Sequence, residues 1–340
     1  MKMIKKVLAV VLTLAIAVIG TACGTAKPDD VSSTPSKVVI EKAKVTVNCL
    51  KGPTGIGMVK LMADNDKGDA LNDYTINIAS APEDIAAAVI KGEVDIAAVP
   101  VNLAATLYNK TEGKYVVCGI NTLGVLYMLD TTGAISKIED LRGKKIYATG
   151  QGSTPEYILR YVLSKNNIDP DKDVTIEFIA EHAELVSLMA AGKAEIALLP
   201  EPNATTTLMQ NQNAKRVLNM TEEWNKVASD GSQVVQGCII AKKEFLDNNA
   251  DAYANFIKEY DASVKYVNEK TEEASAVVEQ YGIVPKAAVA KNAIPNCNIT
   301  LIKGEEMKNA LSPFLKVLFD YNIKSVGGKL PDDSFYYIGK

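Results

Sequence analysis

A chain of 340 residues with 47% hydrophobic and 23% charged residues has the make-up of a globular protein of about two domains. Its net charge of −4 and the lack of any basic–aromatic patch exclude nucleic acid as a partner. One histidine, five cysteines without a C-x-x-C pair and no G-x-x-x-x-G-K-[ST] loop leave no metal set, no catalytic triad and no phosphate loop.

The N-terminus reads as a targeting segment. "MKMIKK" is a basic region, and the apolar run 7–19 is too short to span a bilayer. Thr21, Ala22, Cys23 and Gly24 follow, resembling a bacterial lipoprotein processing site, with Gly20 where such sites usually carry leucine. This predicts a signal peptide over 1–22, a lipidated Cys23 and a polar, proline-punctuated tether over 23–40. Cys49, Cys118 and Cys238 fall in apolar strand-like runs, so these and Cys297 are expected as free, buried thiols.

The body opens with "KVTVNCL", a β-branched alternating run expected as a strand. A turn, "KGPTGIG", leads into the helical "MVKLMADN". A strand "YTINIAS", a helix "APEDIAAAVIKGE" with proline at its start, an apolar strand "VDIAAVP", a helix "VNLAATLYN" and a strand "KYVVCGI" follow. Strands alternating with helices imply right-handed crossovers and a doubly wound sheet. An extended stretch, "NTLGVLYMLD", then reads as a crossing between lobes.

The same order recurs. A strand at Lys145 enters "GQGSTPEY", where Ser153 and Thr154 before Pro155 mark a helix start, the hydroxyl expected to cap free N–H groups. Then come "VTIEFIA", "HAELVSLMAAGK", "AEIALLP", a helix from Asn203 and "AKRVLNM". A shift of 100 residues superposes Thr54 on Thr154, Thr75 on Thr175, Gly92 on Gly192, Ile96 on Ile196 and Pro100 on Pro200. The window 91–107 holds six identities in seventeen positions, where about one is expected by chance, so the chain carries one α/β unit twice. "SQVVQGCIIAKKEFL" returns the chain, and mostly helical sequence follows, the last helix interrupted by Pro313 and all of it expected to pack on the first lobe. The predicted fold is α/β: two doubly wound lobes, 41–125 with 239–340 and 126–238, joined by hinge strands near 124–130 and 232–237.

In open α/β sheets ligands bind beyond the carboxyl ends of the strands, and two such sheets across a hinge line one cleft. The repeat nominates Thr54, Gly55 and Ile56; Ser80; Asn102; Asn121; Gly152, Ser153 and Thr154; Tyr157; Glu201; and Gln233 as ligand-binding residues. The two glycine-containing turns at helix starts are candidates for a polar or anionic cradle, with plain capped turns as the alternative. Glu201 in "LPEPN" either caps the next helix or accepts a ligand N–H. No arginine or lysine evidently borders the predicted cleft.

The leader, the "GPTG" turn, "VIKGEVDIAAVP" with its copy "MAAGKAEIALLPEPN", and "GCIIAKKEFLDNNADAYANFI" together resemble substrate-binding lipoproteins of ABC importers. The branch is the one covering nitrate, sulfonate, taurine and thiamine-pyrimidine-precursor binders. The resemblance implies a type II periplasmic-binding-protein fold and a monomer held by its lipid at the extracytoplasmic face of the membrane. It implies a small polar or heteroaromatic solute passed to an ABC permease and its ATPase, with no cofactor and no catalysis. Matching pocket positions are Thr54, Gly55, Ser80, Asn102, Ser153, Thr154 and Glu201. Two other readings share the fold: a lyase-type enzyme using Glu181 and Glu201, and a surface-anchored sensor.

Overall fold

The computed structural model describes residues 41–229 and 231–339, so the predicted signal peptide, Cys23 and the tether lie outside the described residues. The first half of the body runs β1 (Lys44–Leu50), α1 (Pro53–Ile56), α2 (Val59–Asp66), β2 (Asp73–Ala79), α3 (Pro82–Lys91), β3 (Ile96–Pro100), α4 (Val101–Lys110), β4 (Tyr115–Leu123). The second runs β5 (Leu126–Asp130), β6 (Lys145–Ala148), α5 (Thr154–Lys165), β7 (Thr175–Phe178), α6 (His182–Ala190), β8 (Ile196–Pro200), α7 (Asn203–Gln210), β9 (Lys215–Asn219) and α8 (Met220–Val227). The return consists of β10 (Val235–Lys242), α9 (Lys243–Asn248), α10 (Ala250–Glu269), α11 (Thr271–Gln280), α12 (Ala287–Ala293), β11 (Ile299–Ile302) and α13 (Gly304–Tyr321).

Among the described residues the strands form two sheets, ordered β11-β4-β10-β3-β1-β2 and β7-β6-β8-β5-β9. The repeat is visible in both. β1 lies between β2 and β3, parallel to each, and β6 lies in the same way between β7 and β8. The register differs by one residue: Thr46 pairs with Thr75, whereas Lys145 pairs with Thr175. The chain leaves the first sheet between Leu123 and Leu126 and rejoins it at Val235, where β10 pairs antiparallel with both β3 and β4. The strand ends Leu50, Pro100, Ala148 and Pro200 therefore deliver four helix starts to the space between the sheets.

Residues 42–340 form one compact unit with its own core, the anatomy of a body that folds by itself. That core runs continuously from the first sheet into the second. The junction is Trp224 of α8, fully buried, stacked on Tyr161 of α5 at 4.0 Å and tilted against Phe314 of α13 at 5.3 Å. α13 thus does more than the sequence predicts: it packs on the first sheet and also clasps the second. It is one continuous helix through Pro313. Proline forfeits a hydrogen bond there, but the buried face of Met307, Leu311, Phe314, Leu315 and Leu318 holds the helix together. Cys49, Cys118, Cys238 and Cys297 are free and buried.

Candidate functional site

The first sheet contributes three structures to the cleft. After β1, Gly52 takes φ +88° and ψ −152°, a conformation open only to glycine, and turns the chain into α1. The Thr54 hydroxyl donates back to the Leu50 carbonyl at 3.1 Å, tying α1 to the strand end. After β3, Asn102 opens α4. At the end of β4, Asn121 and Thr122 are 0% and 1% exposed.

The second sheet answers with α5 and α7. The Thr154 hydroxyl donates to Asn102 Oδ1 at 3.2 Å, a direct bond from one sheet's helix start to the other's. Ser153 does not cap α5 as the sequence predicts. Its hydroxyl turns back to the Gly150 carbonyl at 2.7 Å, and Glu156 Oε2 instead accepts the Gly152 N–H at 2.7 Å. Gly150 and Gly152 both have positive φ, which draws the turn tight enough for serine to reach its own loop.

Glu201, 2% exposed, spends both oxygens on the protein. Oε2 accepts the Thr205 N–H of α7 at 3.1 Å, and Oε1 accepts from Arg216 Nη2. The capping alternative is therefore the one the geometry adopts. Burial raises the Glu201 pKa above the ordinary carboxyl value, with the Arg216 charge pulling the other way. Arg216 also lies over the Tyr127 ring, 4.3 Å from its centroid. The Tyr127 hydroxyl, its pKa pushed up to about 12 by burial, donates to the Asn296 carbonyl of the first lobe at 3.0 Å. Neighbouring Cys297 is fully buried and feels the charges of Glu201 and Arg216.

Arg216 corrects the expectation that no cation reaches the cleft. It starts low on β9, opposite Leu129, and its long side chain climbs past Tyr127 to the level of Glu201. Thr54, Asn102, Asn121, Thr154 and Glu201 are all buried or half-buried, and of these Thr154 and Asn102 meet directly. Gly55 and Ile56 are buried in α1, while Ser80, Gly152 and Gln233 are exposed. Tyr157 does not turn to Asn102: its hydroxyl accepts from Asn322 Nδ2 at 3.1 Å, at the end of α13. Glu181 is exposed at the start of α6, unlike Glu201, so the two carboxylates share no common environment.

Residues 73–236 match the family described as ABC transporter, phosphonate, periplasmic substrate-binding protein. Over that segment the chain is similar to ABC-transporter substrate-binding proteins. Over 120 residues the chain is 27% identical to the putative binding protein YtlA of Bacillus subtilis (strain 168), a match covering 35% of this chain. That match spans about a third (34%) of YtlA's length. Among solved structures, an ABC transporter from Parabacteroides distasonis superposes with a TM-score of 0.74 at 24% identity, covering 87% of this chain and 99% of that one. The periplasmic aliphatic sulphonate binding protein SsuA from Escherichia coli gives 0.67 at 14% identity, covering 85% and 95%. At these identities the two structures establish a shared fold.

Proposed function

We propose that this protein is an extracytoplasmic lipoprotein that captures a small polar or heteroaromatic solute between its two sheets and hands it to an ABC permease driven by its ATPase, without chemical turnover. The observation carrying this reading is the pair of buried polar faces that meet in the cleft. Thr154 and Asn102 bond across it, and the Asn121 amide, the Thr122 hydroxyl and Arg216 Nε are buried with no hydrogen-bond partner among the described residues. Buried polar groups are nearly always satisfied, so unpaired groups of this kind support pairing by something else. Glu201 supports binding over catalysis, because both its oxygens already serve Thr205 and Arg216.

Thermal unfolding of the 42–340 body against a solute panel tests this. A solute at 100 times its dissociation constant stabilises by about 2.7 kcal/mol, a midpoint shift of several degrees. A shift with the compound's mass unchanged after incubation is expected; a changed mass would make the protein an enzyme. The lipid anchor is tested separately in the full chain, where Cys23→Ser is expected to leave the membrane fraction.

A further inference from the structure

One methionine stands apart from the others in this body. Met58, Met62, Met128, Met189, Met220 and Met307 are core residues at no more than 2% exposure, whereas Met209 near the end of α7 is 49% exposed. A thioether has no proton to gain or lose, so access decides how fast an oxidant reaches it. Among the described residues only Met209 offers that access.

Its sulfur faces a donor from the other lobe. Asn292 Nδ2 donates toward Met209 Sδ at 4.0 Å and also to the Ala288 carbonyl of its own helix at 2.8 Å. Met209 belongs to α7 of the second sheet's unit. Asn292 belongs to α12, which packs on α11, and α11 packs on α2 of the first. The contact therefore joins the two units at the opposite end of α7 from Glu201. A thioether is a weak acceptor, whereas a sulfoxide is polar and presents an oxygen. An S–O bond of about 1.5 Å and an N–H···O bond of about 2.9 Å meeting at about 120° set sulfur and nitrogen about 3.9 Å apart. The observed 4.0 Å spacing thus suits the oxidised side chain with almost no movement.

We propose that Met209 is a modification site, an oxidation-dependent latch between the two lobes, resting on the solute-capture reading for the parting of those lobes. The oxidant is a hydroperoxide. The Met209 sulfur lone pair attacks the terminal peroxide oxygen, and the O–O bond breaks as the S–O bond forms. The hydrogen on the attacked oxygen passes to the departing one, which leaves as water or an alcohol. Sulfur gives up two electrons and the peroxide takes them. The new oxygen accepts the Asn292 Nδ2–H, so the closed arrangement gains a bond that the open one lacks. Reduction of the sulfoxide releases the latch.

The test treats the 42–340 body with hydrogen peroxide, quenches with catalase and maps the product by peptide mass. Met209 is expected to take up one oxygen before any other methionine of the body. Opening is then read from the rate at which iodoacetamide alkylates Cys297, confirmed unoxidised by mass, whose thiol is buried near Glu201 and Arg216 of the facing lobe. The oxidised body is expected to label about two- to fivefold more slowly than the untreated one, and methionine sulfoxide reductase to restore the rate. Met209→Leu is expected to make the rate indifferent to peroxide, and Asn292→Ala to abolish the slowing while Met209 still oxidises. Oxidation of a buried methionine ahead of Met209, an unchanged or faster Cys297 rate after oxidation, or slowing that survives Asn292→Ala would each overturn the latch and leave solute capture standing. Cys297 that labels only on global unfolding, together with Cys49, would count against the latch and against capture between parting lobes together.

Discussion

Thr154 and Asn102 sit at the starts of two helices on different sheets, and the 3.2 Å hydrogen bond between them joins the two walls of the cleft. The contact exists only while the sheets are together, so it biases the closed arrangement over any open one. Thr154→Val keeps the shape and removes the donor. We expect it to weaken solute binding by about 1 kcal/mol, roughly fivefold, mostly through faster release, with little change in unliganded stability. Calorimetry and stopped-flow dissociation check this, and an unaltered release rate would contradict it.

Arg216 and Glu201 give a pH signature. Burial raises the Glu201 carboxyl above its unfolded value, and the neighbouring Arg216 charge limits the rise. A carboxyl raised on folding contributes stability in full below its unfolded pKa, and that contribution is lost as pH climbs through the folded pKa. Arg216→Met strands the carboxylate, so its pKa climbs further. We expect a loss of about 3 kcal/mol at pH 8 and a clearly smaller loss at pH 5, where Glu201 takes up a proton. Urea midpoints at the two pH values measure this; equal losses would mean that the pair is not coupled.

Trp224 is the chain's sole tryptophan and lies where the two sheets' cores join. Its Nε1–H donates to Ser232 on the return crossing, at 3.2 Å to the carbonyl and 3.1 Å to the hydroxyl. Its fluorescence therefore reports on both sheets at once. We expect blue-shifted emission and a single unfolding transition for the 42–340 body. Phe314→Ala should cost about 3–5 kcal/mol by opening a cavity at the junction. Two separated transitions would show that the sheets unfold independently.

Much of this architecture is written in the chain's spacing. The shift of 100 residues gives two copies of one strand–helix order, and the parallel triplets β2-β1-β3 and β7-β6-β8 with their crossover helices follow from that order. Strand ends are legible too: Thr54, Asn102, Thr154 and Glu201 fall at the helix starts that follow β1, β3, β6 and β8. Side-chain reach is not. Arg216 belongs to an edge strand whose sequence, "KRVLN", says nothing about a guanidinium travelling past Tyr127 to Glu201. Ser153 carries a helix-start signal, but two positive-φ glycines bend its hydroxyl back into the turn. Pro313 reads as a break, yet the apolar face around it decides in favour of a continuous α13. In each case local preference is overruled by a partner distant in sequence.

The most direct test of capture between the sheets uses Cys297. Its thiol is fully buried beside Glu201 and Arg216 of the facing lobe, and burial raises its pKa well above the ordinary thiol value, so it reacts only when the sheets part. Cys49 and Cys118, pushed up to about 12 by burial in the first sheet, serve as internal references that opening does not reach. Alkylation is followed by peptide mass with and without a saturating solute. The account predicts that solute slows labelling of Cys297 severalfold while Cys49 and Cys118 stay unlabelled throughout. Equal Cys297 rates with and without a solute known to be bound would place that solute outside the cleft and contradict the account.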